Sequence, residues 1–181
     1  TILFNSIVLD ITQEVKNEEM LKQTTQMARI GSWEMDLASQ EGDKMYWSPL
    51  MREILGVDQN FEASFNAGLE FCTKESKIQM SKAFTALLEE NIEFDEEILL
   101  ISAKGKEQWV RVLGKSKIVQ GKSTRVYGSI QDIHAVKKIT EELQNVLREK
   151  ANILESIGDA FFAVDRNWVV TYWNKQAEIA L

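Results

Sequence analysis

The stretch FDEEILLISAKGKEQWVRVLGKSKIVQGKSTRVYGSIQDIH, Phe94 to His134, decides the fold. Three runs rich in β-branched and aromatic residues, Phe94–Ser102, Gln108–Val119 and Thr124–Ile133, read as strands. The signals between them, Ala103-Lys104-Gly105-Lys106 and Gln120-Gly121-Lys122, are hairpin turns, so the three strands form an antiparallel meander. Beyond Ile133 the period changes. Val136, Ile139, Leu143, Val146, Ile153 and Ile157 fall at the a and d positions of a heptad with Lys150 at the intervening a, which predicts a linker helix over 135–156 able to pair with a copy of itself. The competing reading is an amphipathic helix lying on its own domain.

Upstream, Thr73 is a helix cap, and Met80, Phe84, Leu87 and Leu88 form one apolar stripe on a helix that ends near Asn91. Residues Asp58–Phe71 mix Gly and Asn with apolar residues and read as irregular or short helical turns without definable boundaries. Ser48-Pro49 starts a short helix, Pro49–Leu55, which Gly56 stops. Before it, Trp33, Met35 and Leu37 alternate with Ser32, Glu34 and Asp36 as a half-buried strand requires, and Gly42-Asp43 turns into a second strand, Lys44–Trp47.

The chain also repeats itself. Asp10–Leu21 (DITQEVKNEEML) aligns with Asp132–Leu143 (DIHAVKKITEEL) at an offset of 122, with five of twelve positions identical. Ile30–Asp36 (IGSWEMD) then resembles Ile157–Asp165 (IGDAFFAVD), and Met45–Leu55 resembles Thr171–Leu181. A repeat of this length means tandem domains rather than a solenoid. The expected organisation is the last strand of a preceding repeat at 1–12, a linker helix at 13–27, a complete domain at 28–134, the linker helix at 135–156 and the start of a following repeat at 157–181. Ile2–Asp10 is expected to pair with the strand near Phe161–Asp165. Thr1 in place of Met, and an apolar pattern running to Leu181, suggest an excerpt from a longer protein.

Charge and composition narrow the class. The 181 residues carry 21 Lys+Arg against 28 Asp+Glu, a net −7, with no basic block, which argues against nucleic acid or an anionic membrane as a partner. One Cys and one His leave no cluster for structural zinc and fit a reducing cytoplasm. No apolar run approaches the ~20 residues of a membrane helix, so no direct membrane contact is expected, whatever anchor the parent carries elsewhere.

Two strands, helices, three strands and an exit helix, in tandem, resemble PAS domains. IGSWEMDL resembles the opening strand of the subfamily with the iGsWe-D signature, YWSPLMREILGV its second strand and first helix, and FDEEILLISAKGKEQWVRVLGK its third and fourth strands. VYGSIQDIH resembles the last strand with its closing Asp-Ile-Thr signature. The resemblance implies an α+β fold, a five-stranded antiparallel sheet with helices on one face, flanked by signalling helices. Three departures stand out. Glu97 is followed by Ile98 and Leu99 where the subfamily often has Glu-x-Arg, so a structural Glu–Arg pair is not assumed. Lys104-Gly105 replaces the usual Asp-Gly turn, and His134 replaces the closing Thr.

The resemblance also bears on cofactors, and none is expected. Haem-binding relatives take their axial histidine from the helix corresponding to Lys74–Glu90, which has none, and Cys72 in LEFCTKES does not match the reactive cysteine context of flavin photosensors. Cys72 therefore reads as a partly buried, inert thiol. His134, the one histidine, lacks the His-Glu-x-Arg-x-Pro context of a phosphoacceptor and reads as a polar residue at a strand-to-helix junction. The weak candidates for a ligand pocket are Trp33, Trp47, Met80, Phe84 and Trp109, which read first as core packing. Asp132, Ile133 and His134 are the candidate signal relay, with Asp132 capping the exit helix.

The expected function is a non-catalytic, cytoplasmic PAS sensory and dimerisation module, homodimeric through its linker helices. It would take an unknown small-molecule ligand and serve a sensor histidine kinase or, second, a diguanylate cyclase. The alternative is a passive spacer whose core is filled by its own side chains.

Overall fold

The computed structural model describes residues 12–38 and 44–180, so the turn at Gly42-Asp43 and the strand expected within 1–12, with its pairing, lie outside the described residues. The chain divides into two units, residues 1–134 and 135–181.

In the first unit, helix α1 (Thr12–Met27) leads into β1 (Ile30–Asp36), β2 (Tyr46–Trp47), α2 (Pro49–Leu55), α3 (Phe65–Leu69), α4 (Lys74–Glu90), β3 (Phe94–Ile101), β4 (Glu107–Val119) and β5 (Lys122–Asp132). The strands form one antiparallel sheet in the order β2-β1-β5-β4-β3, the five-stranded α+β arrangement expected. The inward positions of β4 from Gln108 to Gly114 are buried, and α2 and α4 cover that face with Met51, Ile54, Leu55, Met80, Phe84 and Leu87. The outer face carries cross-strand ion pairs, including Arg111–Asp95, Lys115–Glu93 and Arg125–Glu34.

Local signals explain the boundaries. The Ser48 hydroxyl accepts from the Met51 amide, Pro49 occupies the first turn, and Gly56 closes α2 in the left-handed region at φ 76°. Thr73 accepts from the Ser76 amide to start α4, and Asn91, also left-handed, ends it.

Two expectations are corrected and two open readings are resolved. The second strand is only Tyr46–Trp47, because Ser48 turns away to cap α2 and Lys44 bridges to Ser64 instead. Leu88 is partly exposed: it lies about 80° round α4 from Met80, past the edge of the buried stripe. The unplaced segment contains α3, capped by Ser64. Arg111 hydrogen-bonds the Asp95 carboxylate, diagonally across the strand pair, while Glu97, its direct register partner, acts on it through charge. That bond also holds the Asp95 carboxyl below its ordinary range.

The second unit holds α5 (His134–Glu155, with its first residue in the first unit), the antiparallel pair β6 (Phe162–Val164) and β7 (Val170–Trp173), and α6 (Lys175–Ala180). No residue of α5 is buried, and Val136, Ile139, Leu143, Val146 and Ile153 are all exposed. The helix stops before Ile157, correcting the last heptad position, because the Asn174 side chain takes the Ile157 carbonyl.

Candidate functional site

One transverse row of residues builds the floor of a cavity. Trp47 on β2 is in register with Trp33 on β1, Trp33 with Gly128 on β5, Gly128 with Gly114 on β4, and Gly114 with Phe94 on β3. Three aromatics thus face the core around two glycines. A Cβ on Gly128 would lie 2.6 Å from the Trp33 ring, and one on Gly114 would lie 2.2 Å from that of Phe94. The missing side chains let the Trp33 and Phe94 rings lie over the sheet, stacked 11° from parallel at 6.3 Å between centroids.

The helices provide the roof. Gly31 brings the α2 backbone onto β1, since a Cβ there would sit 2.7 Å from Met51 Cα. Phe84 from α4 stacks on Phe65 from α3 at 3.8 Å. Between roof and floor lies a cavity of about 70 Å³ whose wall includes Trp33, Trp47, Met80 and Phe84, four of the five pocket candidates, and carries no charged side chain. Trp109 is elsewhere. It alternates with the buried Gln108 and Val110, and so points to the opposite side of the sheet. Phe65 is a wall residue that sequence reasoning missed; its signal was Ser64, a capping residue directly before it.

Two features of the wall are chemically distinctive. Trp33 and Trp47, 4% and 2% exposed, each bury an indole Nε1–H that has no hydrogen-bond partner among the described residues. Cys72 also lines the cavity. Its thiol faces the Gly68 carbonyl, and burial pushes its pKa up to about 11, so it stays protonated and unreactive near neutral pH. Below α3, the Arg52 guanidinium donates to three carbonyls, those of Trp47, Asp58 and Phe61, and gathers the connecting segment around itself.

The three relay candidates meet where β5 ends. The Asp132 carboxylate accepts from the His134 amide at 3.0 Å, capping α5, and stands 3.7 Å from Arg29 Nε just beyond α1. Arg29 also reaches Glu53 of α2 at 3.5 Å, and the Ile133 amide donates to the Trp109 carbonyl. His134 Nδ1 is buried without a partner among the described residues. Among the described residues, no three His, Cys, Asp or Glu side chains are grouped to hold a metal ion, and no helix is long and apolar enough to cross a membrane.

Residues 44–130 match the PAS fold family. Over 150 residues the chain is 24% identical to the Sensor protein FixL of Bradyrhizobium diazoefficiens, covering 82% of this chain and 29% of that relative. The chain therefore spans under a third of the relative's length. A Sensory Box Histidine Kinase/Response Regulator structure from Burkholderia thailandensis has a TM-score of 0.57 and 22% identity over 73% of this chain and 97% of that one. The N-terminal domain of a Diguanylate cyclase with PAS/PAC sensor from Marinobacter aquaeolei has a TM-score of 0.53 and 14% identity over 60% and 98%. At these identities the likeness to the solved structures is one of fold.

Proposed function

We propose, since residues 44–130 match the PAS fold family, that the chain is the sensory and dimerisation segment of a cytoplasmic multidomain signalling protein, in the first place a sensor histidine kinase and in the second a diguanylate cyclase. The segment performs no catalysis of its own. A small molecule in the cavity biases the sheet between two arrangements, and β5 passes that bias to α5. One observation carries the reading: Ile130 lines the cavity, and Asp132, two residues along the same strand, caps the exit helix.

The flanks fit a tandem arrangement, with 1–12 closing one repeat and 157–181 opening another. In support, Ser48 and Asn174 have the same bonding. Each side chain accepts from a helix amide three residues on and from a strand amide, Ser32 or Phe161, while each backbone amide donates to that strand residue's carbonyl.

Xenon, which enters dry apolar cavities, tests the relay in the whole chain by NMR. Dissolved xenon is expected to shift the Ile130 methyl signals and, with them, the amide signals of His134–Val136. Asp132→Ala, which removes a cap worth about 1 kcal/mol, should abolish the second response and keep the first. If Ile130 responds in the intact chain and the first turn of α5 does not, the domain is a spacer, the reading that the small cavity volume favours.

Dimerisation is assigned to the exposed a/d stripe of α5, where Lys150 is the polar a residue. Lys150→Leu is expected to tighten the dimer about a hundredfold or more, since burying a leucine contributes roughly 1.5 kcal/mol or more in each of the two chains. Sedimentation equilibrium checks this; a monomer at high concentration in both forms defeats it.

A further inference from the structure

We propose that the first unit also couples its two flanking helices directly: Arg29, where α1 ends, and Asp132, where α5 begins, carry a displacement of α1 to α5 without a molecule in the cavity. Ile30 is the register partner of Gln131, so the entry to β1 and the exit from β5 lie side by side. One carboxylate serves both. Asp132 Oδ1 accepts from the His134 amide at 3.0 Å and caps α5, while Oδ2 stands 3.7 Å from Arg29 Nε. Two further bonds join the same places. The Gln131 side chain donates to the Ala28 carbonyl at 3.3 Å, and the Asp132 amide donates to the Arg29 carbonyl at 3.5 Å.

The residue type at the end of α1 is itself informative. Arg29 is left-handed, at φ 51°, where a helix stop ordinarily places glycine because a Cβ is unfavourable there. Glycine would close the helix with less strain. It would also lose the side chain, which reaches Asp132 and, at 3.5 Å, Glu53 of α2. The Asp132 side chain is only 15% exposed, so its charge is screened less than that of an open surface pair. Every described side chain of α1 is exposed, which leaves the end of the helix as its fixed point. The device recurs at the end of α5. There the Glu155 carboxylate accepts from the Tyr172 hydroxyl at 2.7 Å and from the Lys175 amide at 2.9 Å, fastening the helix to the strand pair and helix that follow it. The input on this route is mechanical, and a unit with nothing in its cavity still relays.

Amide exchange on the whole chain, which reads local opening, tests the connection. Gln26→Pro drives Thr25 out of helical geometry and unwinds the last turn of α1. It is expected to accelerate exchange of the His134 amide about fivefold, the worth of a helix cap, and by less than about twofold when combined with Arg29→Gly. Arg29→Gly keeps the left-handed turn and removes the side chain. Unchanged protection at Val126 and Ile130 is the control for an intact sheet. No acceleration at His134 with the sheet intact separates α1 from α5 and overturns the proposal. Equal acceleration with and without Arg29 assigns the link to the Ala28–Gln131 bond and overturns the role of Arg29. Asp132→Asn is the second measure, since it leaves α1 and the capping oxygen in place and removes the charge opposite Arg29. The Arg29 amide, which donates to the Gln26 carbonyl, should then exchange about twofold faster, the worth of a partly exposed ion pair. An unchanged Arg29 amide refutes the pairing, whether or not Gln26→Pro folds. None of these measurements uses a ligand, so their failure leaves the cavity reading as it stands.

Discussion

Gly128→Ala is expected to destabilise the PAS-fold unit by about 3 kcal/mol or more, a large fraction of the stability of a domain this size. The added methyl would lie 1.8 Å from the Leu113 carbonyl oxygen and 2.6 Å from the Trp33 ring. Neither neighbour has room to give. The carbonyl belongs to a central strand, and the ring is wedged between Phe84 and Phe94. Urea unfolding followed by near-ultraviolet circular dichroism measures the loss. Gly158→Ala is the control, because a Cβ there meets nothing within 4 Å, and it should move stability by less than about 0.5 kcal/mol. Equal urea midpoints for wild type and Gly128→Ala would show that Trp33 does not lie across the strand.

Asn174→Ala is expected to release the second unit's strand pair from its helices. The side chain is fully buried and makes four hydrogen bonds. It accepts from the amides of Phe161 and Ala177 and donates to the carbonyls of Ile157 and Asp159. Truncation leaves four backbone groups without partners, and at about 1 kcal/mol each, with water recovering part, a net loss of about 3 kcal/mol is expected. Amide exchange at Phe161 and Ala177 should accelerate about a hundredfold. Asn174→Ser keeps an acceptor, as Ser48 does in the first unit, and loses the two donors, so its effect should be about half. Unchanged protection at Phe161 in the alanine variant refutes the assignment.

What was legible in the chain was whatever local chemistry specifies. Ser48-Pro49-Gly56 and Thr73-Asn91 carry their caps in residue type, and the meander carries its turns in Gly105 and Gly121, both at positive φ. Helix α3 was illegible because five residues, Phe-Asn-Ala-Gly-Leu, cannot display a 3.6-residue period. The five pocket candidates were chosen by aromatic character and helical spacing. Alternation along β4 then separates Trp109 from the other four. The glycine row was present as letters in VLGK and VYGS, but its meaning depends on register between strands far apart in sequence. The unpartnered indoles are further still from the sequence, since every potential acceptor had to be placed first.

Arg52 sets a rate as well as a shape. Three carbonyls of the segment from Trp47 to Phe61 depend on one guanidinium, and that segment leads directly into Ser64 and Phe65 of the cavity wall. Lifting its last part, from Asp58 to Phe61, breaks two bonds of that one side chain and the stacking of Phe61 on Trp47, whereas lifting any strand of the sheet breaks a ladder. Openings of the first kind are the low-energy fluctuations of a folded protein. A molecule held in the cavity, as proposed, would then leave at a pace set by how long one arginine keeps its oxygens, a pace that affinity alone does not fix.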